Sequence, residues 1–318
     1  MTNIMASVRP PSEWLRPANT TFFEGPNCCI YCLRNVARSD EHIIPYWMAG
    51  GFILRDASCL ECAKITGRFE GELSNTTFFA LRTRFKFQSR SSKRNKKNNV
   101  PSPTFELIAL EDGVEVKKSV LANELPPVFA SIHFPPPGIL VGRVPLPALR
   151  PSDFPIKISI KNISGYSNVK GTLNGKFKIP VNSTSLMRLA AKIAHGFMFT
   201  SPILGDFVPL LRGSILTGHY VSYFVGSPED TELAGSARVG GGHHISVRNI
   251  TIPKDNVFEY LIVTVRLFSD FGGPVFDVIA ARRRLAKAAA VPTPLYVPEI
   301  YGVEGKFEPF NVWIDAKF

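Results

Sequence analysis

Apolar and polar residues alternate strictly along several stretches of the chain. Ile156, Ile158 and Ile160 alternate with Lys157, Ser159 and Lys161, and Phe177, Ile179 and Val181 repeat the pattern. A period of two is the signature of a strand with one buried face. Thr104 to Leu110 and Val114 to Val120, separated by Glu111, Asp112 and Gly113, predict a hairpin. Between 183 and 196 the period changes. Leu186, Leu189, Ala190 and Ile193 fall on one face of a helix, with Ser183 or Thr184 to cap its start and Gly196 to stop it in a left-handed turn. Further strands are predicted at Tyr220 to Val225, Ile245 to Thr251, Phe258 to Phe268 and Val275 to Ala280. The run FEYLIVTVRLF at 258–268 is apolar on nearly both faces, as the central strand of a sheet is. The pattern over 104–318 is that of an α+β domain, an antiparallel sheet around one long helix.

Proline and charge divide the chain. Eleven prolines from Pro101 to Pro155 exclude long helices there. Just before them, Arg82, Arg84, Lys86, Arg90, Lys93, Arg94, Lys96 and Lys97 follow one another with no acidic residue between. Three parts result: a module at 1–81, a basic linker at 82–103 and the α+β domain at 104–318, whose role the sequence leaves open. The net charge of +11, from 37 basic against 26 acidic residues, favours a polyanionic partner, and most of the excess sits in the linker. A length of 318 with 45% hydrophobic residues excludes a small disulfide-stapled scaffold and a disordered chain. The first residues contain no signal-peptide core, and the longest apolar stretch, 257–281, is broken by Glu259, Arg266, Asp270 and Asp277. The expectation is a soluble, cytoplasmic protein with no membrane partner.

The cysteines change the picture most. All five, Cys28, Cys29, Cys32, Cys59 and Cys62, lie near the N-terminus, an odd number for a disulfide framework. Cys29 and Cys32 form one CxxC hook and Cys59 and Cys62 a second. Two such hooks can bring four thiolates to one tetrahedral Zn²⁺; Cys28 is the extra thiol, a packed neighbour or a replacement for Cys29 in the hook. Towards the C-terminus, His195, His219, His243 and His244 read as structural, since His243 and His244 would point to opposite faces of a strand and could not easily share an ion.

Between the hooks lies Glu41-His42-Ile43-Ile44-Pro45, followed by Gly50-Gly51, and the second hook sits in ASCLEC ahead of a helix. CxxC, EHIIP, a Gly-Gly turn and a second CxxC together resemble the HNH endonucleases of the ββα-metal fold, over roughly residues 27–70. The resemblance implies a zinc-knotted scaffold that holds a strand, a loop and a helix around one catalytic Mg²⁺ or Mn²⁺. By position, His42 is similar to the general base of that family and Glu41 to the carboxylate ligand before it. The family commonly places Asn or His directly after the second hook. This chain has Ala63 there, so Glu70, two turns along the predicted helix, and Asp56, ahead of the hook, are the candidate substitutes. Arg68, Arg82, Arg84, Lys86 and Arg90 are the candidate phosphate contacts on DNA. The sequence thus points to an HNH-type metal-dependent DNA endonuclease. The alternative is a catalytically degenerate HNH-fold zinc protein that binds nucleic acid or acts as an adaptor, a reading favoured by Ala63. A third is a structural zinc knot in a protein whose work lies in 104–318.

Overall fold

The structure is a computed structural model that describes residues 20–48, 50–79, 82, 104–111, 114–121, 128–147, 157–162, 174–200, 205–228, 243–252, 255–268, 273–285 and 310–317. The head begins with strand β1 (Thr21–Glu24), β2 (Arg38–His42), a 3-10 turn at Tyr46–Met48, β3 (Phe52–Cys59) and helix α1 (Leu60–Asn75). Strand β3 is central, parallel to β1 and antiparallel to β2. It carries Ile53, Leu54 and Ala57 into the interior, and α1 follows with no loop. Helix α1 buries Cys62, Thr66, Phe69 and Leu73, a helical spacing of four, three and four that faces one side. The β2–β3 ladder slips between Ser39 and Glu41, and Asp56 takes a left-handed φ of 46° opposite the slip. This bulge re-aims the strand just ahead of the second cysteine hook. Gly50 is required where the loop returns: a Cβ there would lie 2.1 Å from the Ile44 carbonyl oxygen.

Beyond the head come β4 (Thr104–Glu111), β5 (Val114–Leu121), β6 (Val128–His133), β7 (Lys157–Asn162), β8 (Asn174–Val181) and helix α2 (Ser183–Met198). Next are β9 (Val208–Pro209), α3 (Arg212–Thr217), α4 (Val221–Phe224), β10 (Val225–Gly226), β11 (His243–Ile252), β12 (Asp255–Leu267), β13 (Val275–Arg284) and β14 (Phe310–Lys317). Strands β10-β13-β12-β11 form an antiparallel sheet, with β9 also paired to β13. A second sheet runs β14-β8-β4-β5, and β6 pairs with β7. The predicted hairpin is β4–β5, and the predicted central strand is β12, flanked on both edges. The fold is α+β, with a ββα element and the cysteine cluster near the N-terminus.

Helix α2 is the centre of the molecule. It packs on α1, β12, β13, α3 and α4, and it is buried on nearly every side. One hydrophobic cluster consequently runs from Cys29 and Ile43 in the head through Leu186, Leu189 and Ile193 to Ile279 and Ala281 in the sheet. Three local expectations differ from the structure. The cap of α2 is Asn182, whose side chain accepts from the Ser185 N–H at 2.9 Å, not Ser183 or Thr184. The helix does not stop at Gly196 but continues to Met198, because Gly196 takes no left-handed φ and the chain closes instead at Phe199, in a right-handed conformation with its N–H donated to the Gly196 carbonyl at 3.1 Å. Residues 220–225 form a turn of helix and a short strand instead of one strand, since Tyr220 takes a left-handed φ of 55° that an extended strand cannot contain.

A four-cysteine centre and an adjoining buried lysine

The first hook is a tight turn. Leu33 N–H donates to the Cys29 carbonyl at 2.8 Å and Cys29 N–H to the Arg34 carbonyl at 3.1 Å, with Leu33 at a left-handed φ of 61°. The second hook spans the junction of β3 and α1: Cys59 ends the strand as the helix N-cap, and Cys62 lies in the first turn. The Ile30 N–H donates to the Ala57 carbonyl at 2.9 Å, tying one hook to the other. The four sulfurs lie within 4.8 Å of one another, and Cys32 Sγ is 3.7 Å from Cys59 Sγ. A tetrahedral Zn–S₄ unit with bonds of about 2.3 Å has sulfur edges of about 3.8 Å, so the tetrad is compatible with a structural zinc site. The helix N-terminus adds a favourable field for anionic sulfur.

Electrostatics agree with that chemistry. The thiol of Cys62, donating to Cys29 Sγ, pulls the Cys29 thiol down to about 4, against the burial that opposes it. The same contact, with burial, drives Cys62 far up, and burial raises Cys59. Four crowded sulfurs thus resist full ionisation by themselves, and a dication is what removes that resistance. Arg34 bridges the hooks from outside, with Nε 3.4 Å from Cys32 Sγ and a second nitrogen paired with Glu61. Glu61 is held low by Arg34.

The candidate catalytic residues divide. Glu41, on β2, and Glu70, on α1, are brought together, but around the ammonium of Lys192 from α2. Lys192 Nζ lies 2.8 Å from Glu41 Oε1 and 3.0 Å from Glu70 Oε1. It also donates to the His42 carbonyl and, at 3.3 Å, to the Ile43 carbonyl. Lys192 is 1% exposed and Glu41 6%. Burial pushes the ammonium's pKa down, and the two carboxylates outweigh it, leaving the pKa raised. A buried charge survives only when paired and fully hydrogen-bonded, and Lys192 is both.

His42 contributes its backbone to this centre, while its ring meets Tyr46 edge-on at 5.6 Å. Asp56 is elsewhere, exposed on the bulge, where its N–H donates to Asp40 Oδ1 at 3.2 Å and its carbonyl accepts from Arg38 Nε at 2.6 Å. Arg68 is exposed on α1. Arg82 is anchored to Ser74 Oγ at 2.8 Å. Arg84, Lys86 and Arg90 lie outside the described residues. A Mg²⁺ or Mn²⁺ held by Glu41 and a helix residue does not fit this arrangement, because the ammonium already satisfies both carboxylates.

Besides Lys192, sequence reasoning missed Tyr31 and Glu72, and it read His195 as structural without its partners. Tyr31, between Cys29 and Cys32, is buried; loss of water and the charges of Glu41 and Glu70 hold its pKa well above the usual phenol range. His195, one turn beyond Lys192, stacks on Tyr31 at 5.6 Å and contacts the Ile30 carbonyl through Nε2 at 2.8 Å. Burial lowers its pKa to about 4, so the ring is neutral and Nε2–H is the donor. Glu72 of α1 accepts from Asn182 Nδ2 at 2.6 Å and Ser185 Oγ at 2.7 Å, tying α1 to the start of α2. The signal in the sequence was a lysine inside the apolar run Leu189 to Ala194 of the helix. From the sheet, His243 Nε2 meets the Met48 carbonyl at 2.9 Å and its Nδ1 accepts from Phe268 N–H at 3.3 Å, pinning the head's loop.

No protein-family model, no curated protein and no solved structure matches the chain. Among the described residues, no helix is long and apolar enough to cross a membrane.

Proposed function

We propose that this chain is a zinc-stabilised nucleic-acid-binding protein built on a degenerate HNH-like head, with Zn²⁺ held by Cys29, Cys32, Cys59 and Cys62 and without nuclease chemistry. One observation carries the reading: the ammonium of Lys192 sits between Glu41, to which the resemblance assigns a divalent ion, and Glu70, the candidate substitute for the missing helix ligand. Ala63, in place of a further ligand, supports it. The nucleic-acid partner is supported by the eight unrelieved positive charges at 82–97, directly behind the head, and by the exposed Arg68 on α1.

The role of the head in this reading is to stay folded and to present its flanking cations. Zinc closes the two hooks and lends folding free energy to a small sheet. Cations such as Arg84, Lys86 and Arg90 then engage phosphates, which gives affinity without sequence readout. If all eight linker charges engage a duplex, log K should fall against log salt with a slope of about −7.

The test has two arms. Supercoiled plasmid and single-stranded DNA incubated with the zinc-loaded protein and Mg²⁺ or Mn²⁺ should remain intact. Binding of the same DNAs should be salt-dependent and should weaken when the arginines and lysines at 84–97 are changed to glutamine. The convergence of Glu41 and Glu70 favours a second reading, the active HNH endonuclease with His42 as general base. Metal-dependent cleavage that Glu41→Gln and His42→Ala abolish would establish that reading and sink the first. Unchanged affinity after neutralising the linker would remove the nucleic-acid partner.

A further inference from the structure

The centre around Lys192 is unusual in composition. Every atom that faces Nζ within hydrogen-bonding distance is an oxygen: Glu41 Oε1, Glu70 Oε1 and the carbonyls of His42 and Ile43. That is the donor set of a hard divalent cation, carboxylates supplemented by backbone carbonyls. The two carboxylates exceed the single ammonium by one negative charge. A monocation therefore leaves the cage electrostatically short, and a dication would balance it.

We propose that Lys192 is a tethered cation filling a four-oxygen cage that a hard divalent ion would otherwise occupy, so that this site is closed to metal by the chain itself. The inference rests on the reading that the centre has no metal-dependent chemistry. Two observations give the lysine its advantage over an ion in solution. It is delivered by a helix locked on nearly every side, so its effective concentration at the cage is set by the fold and not by the medium. The separations of 2.8, 3.0 and 3.3 Å to Glu41, Glu70 and the Ile43 carbonyl are ammonium hydrogen-bond lengths. For Ca²⁺ the oxygens would have to draw in by about half an ångström, and further for Mg²⁺. Side-chain rotation at Glu41 and Glu70 can supply that contraction once the ammonium is gone. The two carbonyls belong to adjacent residues of one loop, held by the Ile43 N–H to the Phe52 carbonyl at 3.0 Å, so they are placed whether or not Lys192 is present.

The experiment uses zinc-loaded full-length protein in four forms: native, Lys192→Ala, Lys192→Met and the charge-matched Lys192→Ala/Glu70→Gln. Each is titrated with Mn²⁺, followed by the electron paramagnetic resonance signal of aqueous Mn²⁺ and by thermal unfolding. Lys192→Ala should take up stoichiometric Mn²⁺ and unfold several degrees higher in its presence. The double variant keeps the native excess of one negative charge, so it tests the cage without the second unpaired carboxylate of Lys192→Ala. It should bind Mn²⁺ at least tenfold more weakly than Lys192→Ala. Native protein and Lys192→Met, whose side chain refills the space, should take up none. If neither alanine-containing variant binds Mn²⁺, or if native protein binds it as well as they do, the proposal is overturned. Should Lys192→Ala fail to fold in either condition, the double variant alone decides. DNA cleavage by native protein would defeat the functional reading whatever these titrations show. An inert native protein together with variants that ignore Mn²⁺ would defeat only the cage.

Discussion

Replacing Lys192 by Met removes one charge and little volume, so its effect isolates the electrostatics of the centre. Glu41, 6% exposed, would then be buried with no cation, and Glu70 would keep only the partial access of a side chain 19% exposed. Removing one partner of a buried ion pair costs about 3–5 kcal/mol. The His42 and Ile43 carbonyls lose a donor as well, at about 1 kcal/mol or more for each that stays dry. Water reaching Glu70 returns part of this, so we expect a loss of about 4 kcal/mol, a large share of the roughly 5–15 kcal/mol that typical domains possess. Urea unfolding at neutral pH measures it. The sign of the pH dependence is a second check. Without the ammonium, burial disfavours the charged form of both carboxylates in the folded variant. The folded variant then binds protons more tightly than the unfolded chain, and its deficit against native should narrow as pH falls from 7 towards 5. Adding Glu41→Gln and Glu70→Gln to Lys192→Met should restore all but about 1–2 kcal/mol, since a neutral hydrogen-bonding centre replaces a broken ionic one. A Lys192→Met protein within about 1 kcal/mol of native, or a deficit independent of pH, would refute the argument.

Other expectations follow from the same contacts. His195, neutral with a pKa near 4 in the fold and near 6.5 when unfolded, gives stability that is complete above about pH 6.5 and lost as pH falls towards 4. The loss should reach about 3 kcal/mol, and His195→Gln, which can still donate to the Ile30 carbonyl, should flatten that slope. Tyr31 and Lys192 both have raised values, so stability should also fall as pH rises beyond about 10, where the unfolded chain sheds protons that the folded one retains. Glu72→Ala removes the acceptor for Asn182 and Ser185 and should cost about 2 kcal/mol in a denaturant titration, with Glu72→Gln costing less. Chelation of zinc, or Cys59→Ser, should lower the thermal midpoint and release Zn²⁺ to a colorimetric indicator, whereas Cys28→Ser should do neither.

Much of this architecture was legible because its signals are local. Two CxxC hooks encode their own turn geometry, and the period-two runs at 156–161 and 177–181 report a strand's faces without reference to the rest of the chain. Helix α2 was legible as a helix for the same reason. Its task was not, because the value of Lys192 depends on Glu41, Glu70 and two carbonyls far away in sequence, and helical periodicity says nothing about what a helix is packed against. The misplaced stop at Gly196 has the same origin: nothing local tells that this glycine stays helical, packed beside Ile43 of the head. Likewise Asp56 is polar and precedes the hook, as a ligand would, but the bulge turns it outward. The Glu41-His42 pair was legible as a motif. Whether a motif still faces a metal is a tertiary fact, and it is Lys192 that answers it.

The central claim is that an ammonium, and not a divalent ion, holds Glu41 and Glu70 together beside a zinc knot. Metal content measured by elemental analysis, after equilibrium of native protein with both zinc and manganese, addresses it directly. The account predicts one zinc per chain, lost with Cys59→Ser, and no bound manganese. Stoichiometric manganese that disappears in Glu41→Gln while zinc remains would contradict it.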